Sequence, residues 1–187
     1  HLGLLYGKKE ILNKLPNQNH EFLEGEVPYT LNPGGPNHEE LSSLIGVYEY
    51  FNSLYNHHFP EKNNNIRQKI ERINELIANH EELITNPLLE YLNSQKDIML
   101  IGQKKIKNKN RAPTIAFKVK NLSSKDLSQH LVQNGIATRN DNFYAWRCLK
   151  ALGIDTEDGV VRTSIVHYNT QEDVSKLIYA LKKLKDQ

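Results

Sequence analysis

Apolar positions recur at two periods along this chain, and the change of period divides it. From Leu41 to Tyr91 the spacing is helical: Leu41, Leu44, Ile45, Tyr48 and Phe51 make one series, and Ile66, Ile70, Ile73, Ile77 and Ile84 make a second. Asn37 stands at the N-cap position of the first. The second predicts a long amphipathic helix, interrupted near Pro87 and resuming to Tyr91. Between them "NHHFPEKNNN" has no apolar period and predicts a hinge or linker. Upstream, Leu2 to Tyr6 reads as a buried strand and Lys8 to Leu15 as a short helix ending before Pro16. Asn17 to Pro36, with Pro28, Pro33, Gly25, Gly34 and Gly35, reads mostly as loop.

After Lys96 short apolar runs alternate with short helical patterns. Ile98 to Ile101, Thr114 to Val119, Ile136 to Arg139 and Val160 to Val166 read as strands. Ser123 or Ser124 caps a helix through Val132, closed by Gly135, and Tyr144 to Leu152 makes another. Asn169 or Thr170 caps the last, with Glu172 and Asp173 in its first turn. Val174, Leu177, Ile178, Leu181 and Leu184 form its apolar stripe, and Lys182, Lys183 and Lys185 suit its negative end. The order β-β-α-β-α-β-α predicts an α/β chain ending in an α+β domain: a small mixed sheet covered by helices, reached through a long linking helix.

Composition narrows the function classes. The 187 residues carry a net charge of +2, from 24 basic and 22 acidic side chains, so no polyanion preference follows. The basic run Lys104 to Asn110 lacks interleaved aromatics and reads as a solvated loop, so no nucleic-acid partner is expected. No apolar run approaches the ~20 residues of a membrane span, and no signal peptide is visible. A single cysteine, Cys148, excludes an internal disulfide and fits a reducing, cytoplasmic location. The chain opens at His1 directly into an apolar run, which fits a fragment or a processed product.

Few residues offer chemistry. His57 and His58 are adjacent and point apart on a helix, and no zinc-binding spacing exists, so no metal is expected. Cys148 falls within a helical pattern, where a small, partly buried residue is the ordinary explanation. "LNPGGPNHEE" leaves backbone free to approach a ligand before a helix N-terminus suited to an anion, although it is also a plain loop. Arg162 is the one charge in the strand-like run Val160 to Val166. An edge-strand arginine can pair with a neighbouring acid such as Asp158; alternatively its planar fork is aimed at a carboxylate.

"HLGLLYGKKEIL", "GGPNHEE", "RAPTIAFKV", "NGIATRNDNFYA" and "GVVRTSIVHYNTQEDVSKLIYAL" resemble, in order and spacing, the C-terminal part of class V aminotransferases in their cysteine desulfurase-like branch. That resemblance implies a fold-type-I transferase using pyridoxal 5'-phosphate on a small amino-acid substrate, as a homodimer. It implies a tail of the large domain over residues 1–56, a linker and long helix over 57–95, and a small C-terminal domain over 96–187. It places Arg162 at the substrate α-carboxylate, and Asn142 and Tyr144 on the active-site loop beside it. Gly34 and Gly35 fall on the loop that reaches the cofactor phosphate of the other subunit, where Gly35 replaces the usual Thr. Tyr144 stands where desulfurases carry their nucleophilic cysteine, and Cys148 comes a helical turn later, so sulfur transfer does not carry over. No catalytic residue is assigned within the chain, because the Schiff-base lysine is expected upstream of His1. The rival reading is a non-catalytic interaction module that keeps the fold and has lost the chemistry.

Overall fold

A computed structural model describes residues 2–26, 29–32, 34–60, 64–107 and 109–184. Pro28, Pro33, Asn108, Lys185 and the 61–63 part of the polar stretch lie outside the described residues. The chain forms two compact units, His1–Ile73 and Asn74–Gln187.

In the first unit, helix α1 (Lys9–Leu12) is a single turn and α2 (His38–His58) is the main element. Asn37 caps α2 by accepting the Glu40 amide at 2.9 Å. Leu2–Tyr6, expected as a buried strand, is neither: Leu4, Leu5 and Tyr6 are 73%, 79% and 89% exposed, and no described strand pairs with them. A strand needs a ladder for its amides and carbonyls, and apolar character alone does not supply one. Helix α3 (Ile66–Ser94) begins in this unit and continues into the next. It passes through Pro87 without a break. Proline there removes only one bond, to the carbonyl of Leu83, a residue that is itself exposed. Leu88, Leu89 and Leu92 just beyond are fully buried, and their packing holds the helical turn.

The second unit is a four-stranded sheet with its longer helices against one face and a short helix against the other. Its strands are β1 (Ile98–Ile101), β2 (Thr114–Val119), β3 (Arg139–Asp141) and β4 (Val160–Ser164), in spatial order β1-β2-β4-β3. Every ladder is antiparallel, so the sheet is not the mixed one expected. Helices α4 (Ser124–Gln133), α5 (Trp146–Ala151) and α6 (Gln171–Lys183) complete the predicted order. Alternation along the strands sets the two faces. Ile115, Phe117 and Val119 of β2 and Val161 of β4 enter the main core with residues of α3, α4 and α6. Ala116 and Val160 face the other way, against Leu149, Ile154, Ile101 and Phe143.

Local chemistry fixes the joints. Ser123 caps α4, and Thr170 caps α6 in a reciprocal box with Asp173. Gly135 takes φ +76° after α4. The strand expected over Ile136–Arg139 is displaced to Arg139–Asp141, because Ile136 packs against the core instead of pairing. Nor is Lys104–Asn110 wholly solvated. Ile106 is buried, and both its backbone groups are held by the Asn86 side chain, at 2.9 and 3.1 Å.

Candidate functional site

Arg162 lies on the sheet face opposite the main core, half-buried, between Ala116 of β2 and Arg139 of β3. Its strand is interior, not the edge that an ordinary snorkelling arginine would occupy. Asp158, the acid close enough in sequence to neutralise it, is engaged elsewhere. The Asp158 carboxylate accepts from the Lys118 ammonium and, at 2.7 Å, from the Ser124 amide, while its carbonyl accepts from the Ser124 hydroxyl. Burial pushes the Asp158 carboxyl up, but the Lys118 and Ser124 hydrogen bonds outweigh it and hold the group below the ordinary 3.8.

Arg162 therefore has no carboxylate partner among the described residues. What it has is a ring: its guanidinium carbon sits 4.0 Å from the centroid of Phe143. An aromatic face supports the flat cation and takes none of its five N–H groups in a conventional hydrogen bond. Arg111 offers the contrast. Its donors are spent on the backbone carbonyls of Ala112 at 3.3 Å, Thr114 at 3.1 Å and Gln103, which makes it a structural arginine.

The loop that brings Phe143 under Arg162 has an unusual backbone. Phe143 and Tyr144 are both left-handed, with φ of +52° and +60°. Two consecutive non-glycine residues in that region cost about 1–2 kcal/mol each and persist only where neighbours force them. Asn142 does the forcing. Its side-chain oxygen accepts the Tyr144 amide at 3.0 Å, its carbonyl accepts the Ala145 amide at 2.9 Å, and its side-chain amide donates to the Thr156 carbonyl at 3.3 Å. Left-handed backbone also explains why the helix expected from Tyr144 starts only at Trp146.

Of the expected site residues, the loop gathers Arg162, Asn142 and Tyr144 at one end of the sheet. Both side-chain groups of Asn142 are occupied by backbone, so it shapes the loop. The Tyr144 side chain is fully exposed. Cys148 is exposed on α5, where only Leu149 is buried, not the partly buried residue expected. Sequence reading missed Phe143, since an aromatic in a polar turn ordinarily reads as core. It also missed Arg139, which faces Arg162 in register.

Gly34 and Gly35 belong to the first unit. A Cβ built at either meets no atom within 4 Å, so this backbone is open to close approach. The α2 N-terminus beside it is less suited to an anion than the sequence suggested. Asn37 already takes the Glu40 amide, and Glu39 and Glu40 place negative charge in the first turn. The open backbone at Gly34 and Gly35, not the helix end, is the part of this stretch that leaves room for a ligand.

Comparison with known proteins bears on the whole chain. A family model described as aminotransferase class-V matches residues 2–177. An aminotransferase-like protein of Gibberella zeae is 30% identical over 97% of this chain and 42% of its own length. A probable cysteine desulfurase of Staphylococcus epidermidis is 26% identical over 99% of this chain, again 42% of that protein. Among solved structures, the cysteine desulfurase CsdA of Escherichia coli superposes with a TM-score of 0.60 at 21% identity, over 85% of this chain and 33% of that one. An apo cysteine desulfurase of Thermococcus onnurineus NA1 gives 0.53 at 28% identity, over 64% and 28%. The chain thus spans 42% of the length of these two curated relatives.

Proposed function

The chain belongs to the class V aminotransferase family, and on that premise we propose that it supplies the carboxylate-binding part of a pyridoxal-phosphate enzyme acting on a small amino acid. The observation that carries this reading is Arg162: a half-buried guanidinium whose carbon lies 4.0 Å over the Phe143 ring, with no acidic partner and no acceptor on its donors among the described residues. Arg162 holds the α-carboxylate as a bidentate fork and so orients the bonds at the neighbouring carbon. The Asn142 clamp keeps the loop in place beside it. When bound, the cofactor supplies an electron sink. Of this chain's residues, the Gly34 and Gly35 amides are the ones that reach its phosphate, from the neighbouring subunit of a homodimer. The Schiff-base lysine comes from outside these 187 residues. In domain terms, residues 1–56 are the tail of the large domain, 57–95 the linker and long helix, and 96–187 the small domain.

Tyr144 in place of a nucleophilic cysteine favours transamination or elimination over sulfur transfer. Cys148 is no substitute: Cys148→Ala is expected to leave the reaction intact.

Arg162→Ala in the full-length protein tests the reading. Truncating one member of a buried charged pair costs about 2–5 kcal/mol, so amino-acid affinity falls roughly thirty-fold to several-thousand-fold while cofactor binding is retained. Arg162→Lys recovers only part, because a point charge cannot reproduce the fork. Unchanged affinity in the Ala variant would make Arg162 an ordinary surface arginine and return the chain to a non-catalytic module.

A further inference from the structure

We infer that Phe143 is a positioning residue for the carboxylate site, one that does for Arg162 what an acidic neighbour does for most half-buried arginines. This rests on the assignment of Arg162 to a carboxylate.

A guanidinium can be steadied at its edge or on its face. An edge partner such as Asp158 would fix Arg162 and consume the N–H groups a substrate needs; that acid is instead bound to Lys118 and Ser124. A face partner fixes the plane and leaves the edge free. Phe143, 4.0 Å below, is such a partner. The ring has the second task of keeping Arg162 in one plane beside a like charge, since Arg139 lies directly opposite it in the ladder. Cross-strand neighbours on one face have Cβ atoms about 4.5–5.5 Å apart, and like charges there repel. The left-handed backbone at Phe143 is what aims the ring, and the Asn142 clamp maintains that backbone against its cost. No reacting atom touches Phe143; it acts through Arg162.

The test reads the arginine itself. In the full-length protein, modification of Arg162 by phenylglyoxal is followed by peptide mass spectrometry, with acetate as a bare carboxylate and acetamide as its neutral counterpart. In the wild type, acetate slows the reaction and acetamide does not. Phe143→Leu keeps apolar bulk without the aromatic face. Phe143→Asn removes the ring while suiting the left-handed backbone. Both are expected to raise the acetate concentration giving half-protection by roughly three- to thirty-fold. Phe143→Tyr restores it to within about two-fold, since the ring face is kept. A folded Leu or Asn variant that matches the wild type, or a Tyr variant as poor as Leu, overturns the positioning role and leaves the reading of Arg162 standing. Failure of acetate to protect Arg162 in the wild type is a different result: it removes the carboxylate assignment, and this inference with it.

Discussion

Asp158 and Arg162 lie four positions apart and were natural partners on sequence, yet the fold assigns each a different neighbour. Asp158 is tied to Lys118, forty residues earlier, and to the first turn of α4. That separation is why the pairing was illegible: sequence distance favours local partners, and only the β2–β4 register brings Lys118 close. Arg162 itself was legible, because a lone cation in an uncharged strand needs an explanation that propensity cannot give. The Asp158 carboxyl is held below its ordinary value, so its stabilisation is complete above about 3.8 and is lost as pH falls through the lower folded value. Asp158→Asn keeps an acceptor but drops the charge. At neutral pH it is expected to cost about 1–3 kcal/mol, with the gap in melting temperature from wild type closing in acid. Thermal melts of both proteins from neutral pH down to about 3 check this, and a gap that persists in acid would place the effect in packing instead of charge.

At the level of elements, the long segments were readable and the short ones were not. The presence of α2, α3 and α6 follows from a 3.6-residue apolar period, joined in α2 and α6 by a cap, signals that accumulate over several turns. The ends do not follow, since α2 runs on through Asn56–His58 of the stretch expected as a hinge. The three residues of β3 and the left-handed corner after it carry no period at all; they are set by contacts. Gly159 is the clearest of these. Its φ is +67°, and a Cβ there would lie 2.4 Å from the Asp141 carbonyl carbon and oxygen. The obstruction is backbone and cannot swing aside, so β3 and the start of β4 cross only over a glycine. Gly159→Ala should destabilise the second unit by about 2–4 kcal/mol. Because Asp141 and Asn142 lead directly into Phe143, it should also loosen the Arg162 site. Chemical denaturation measures the first effect, and a loss under about 1 kcal/mol would mean that the corner has another way to turn.

Over the whole molecule, burial is unevenly shared. The second unit encloses a continuous core drawn from three helices and the sheet, whereas the first buries only Tyr55 and Ile73 among its described apolar residues. Ile11, Phe22, Ile45 and Tyr48 are exposed, although their apolar character marks them for an interior. Sequence shows which residues favour burial; it does not show what will bury them, so Leu2–Tyr6 has the apolar character of a buried strand and none of its pairing. Amide exchange in the 187-residue chain should follow the same division. Slow exchange is expected in β2, β4, α4 and α6, and fast exchange in residues 2–23. Equal protection in the two regions, read by mass spectrometry, would contradict it. Among the described residues no helix is long and apolar enough to cross a membrane.

The facing pair Arg139 and Arg162 has a consequence for ionic strength. Mobile anions screen the repulsion within the pair and, on the proposed role of Arg162, also screen its pull on an incoming carboxylate. Added salt therefore relaxes the sheet and weakens the site together, so the conditions that best preserve this end of the protein are not those in which it best captures its ligand.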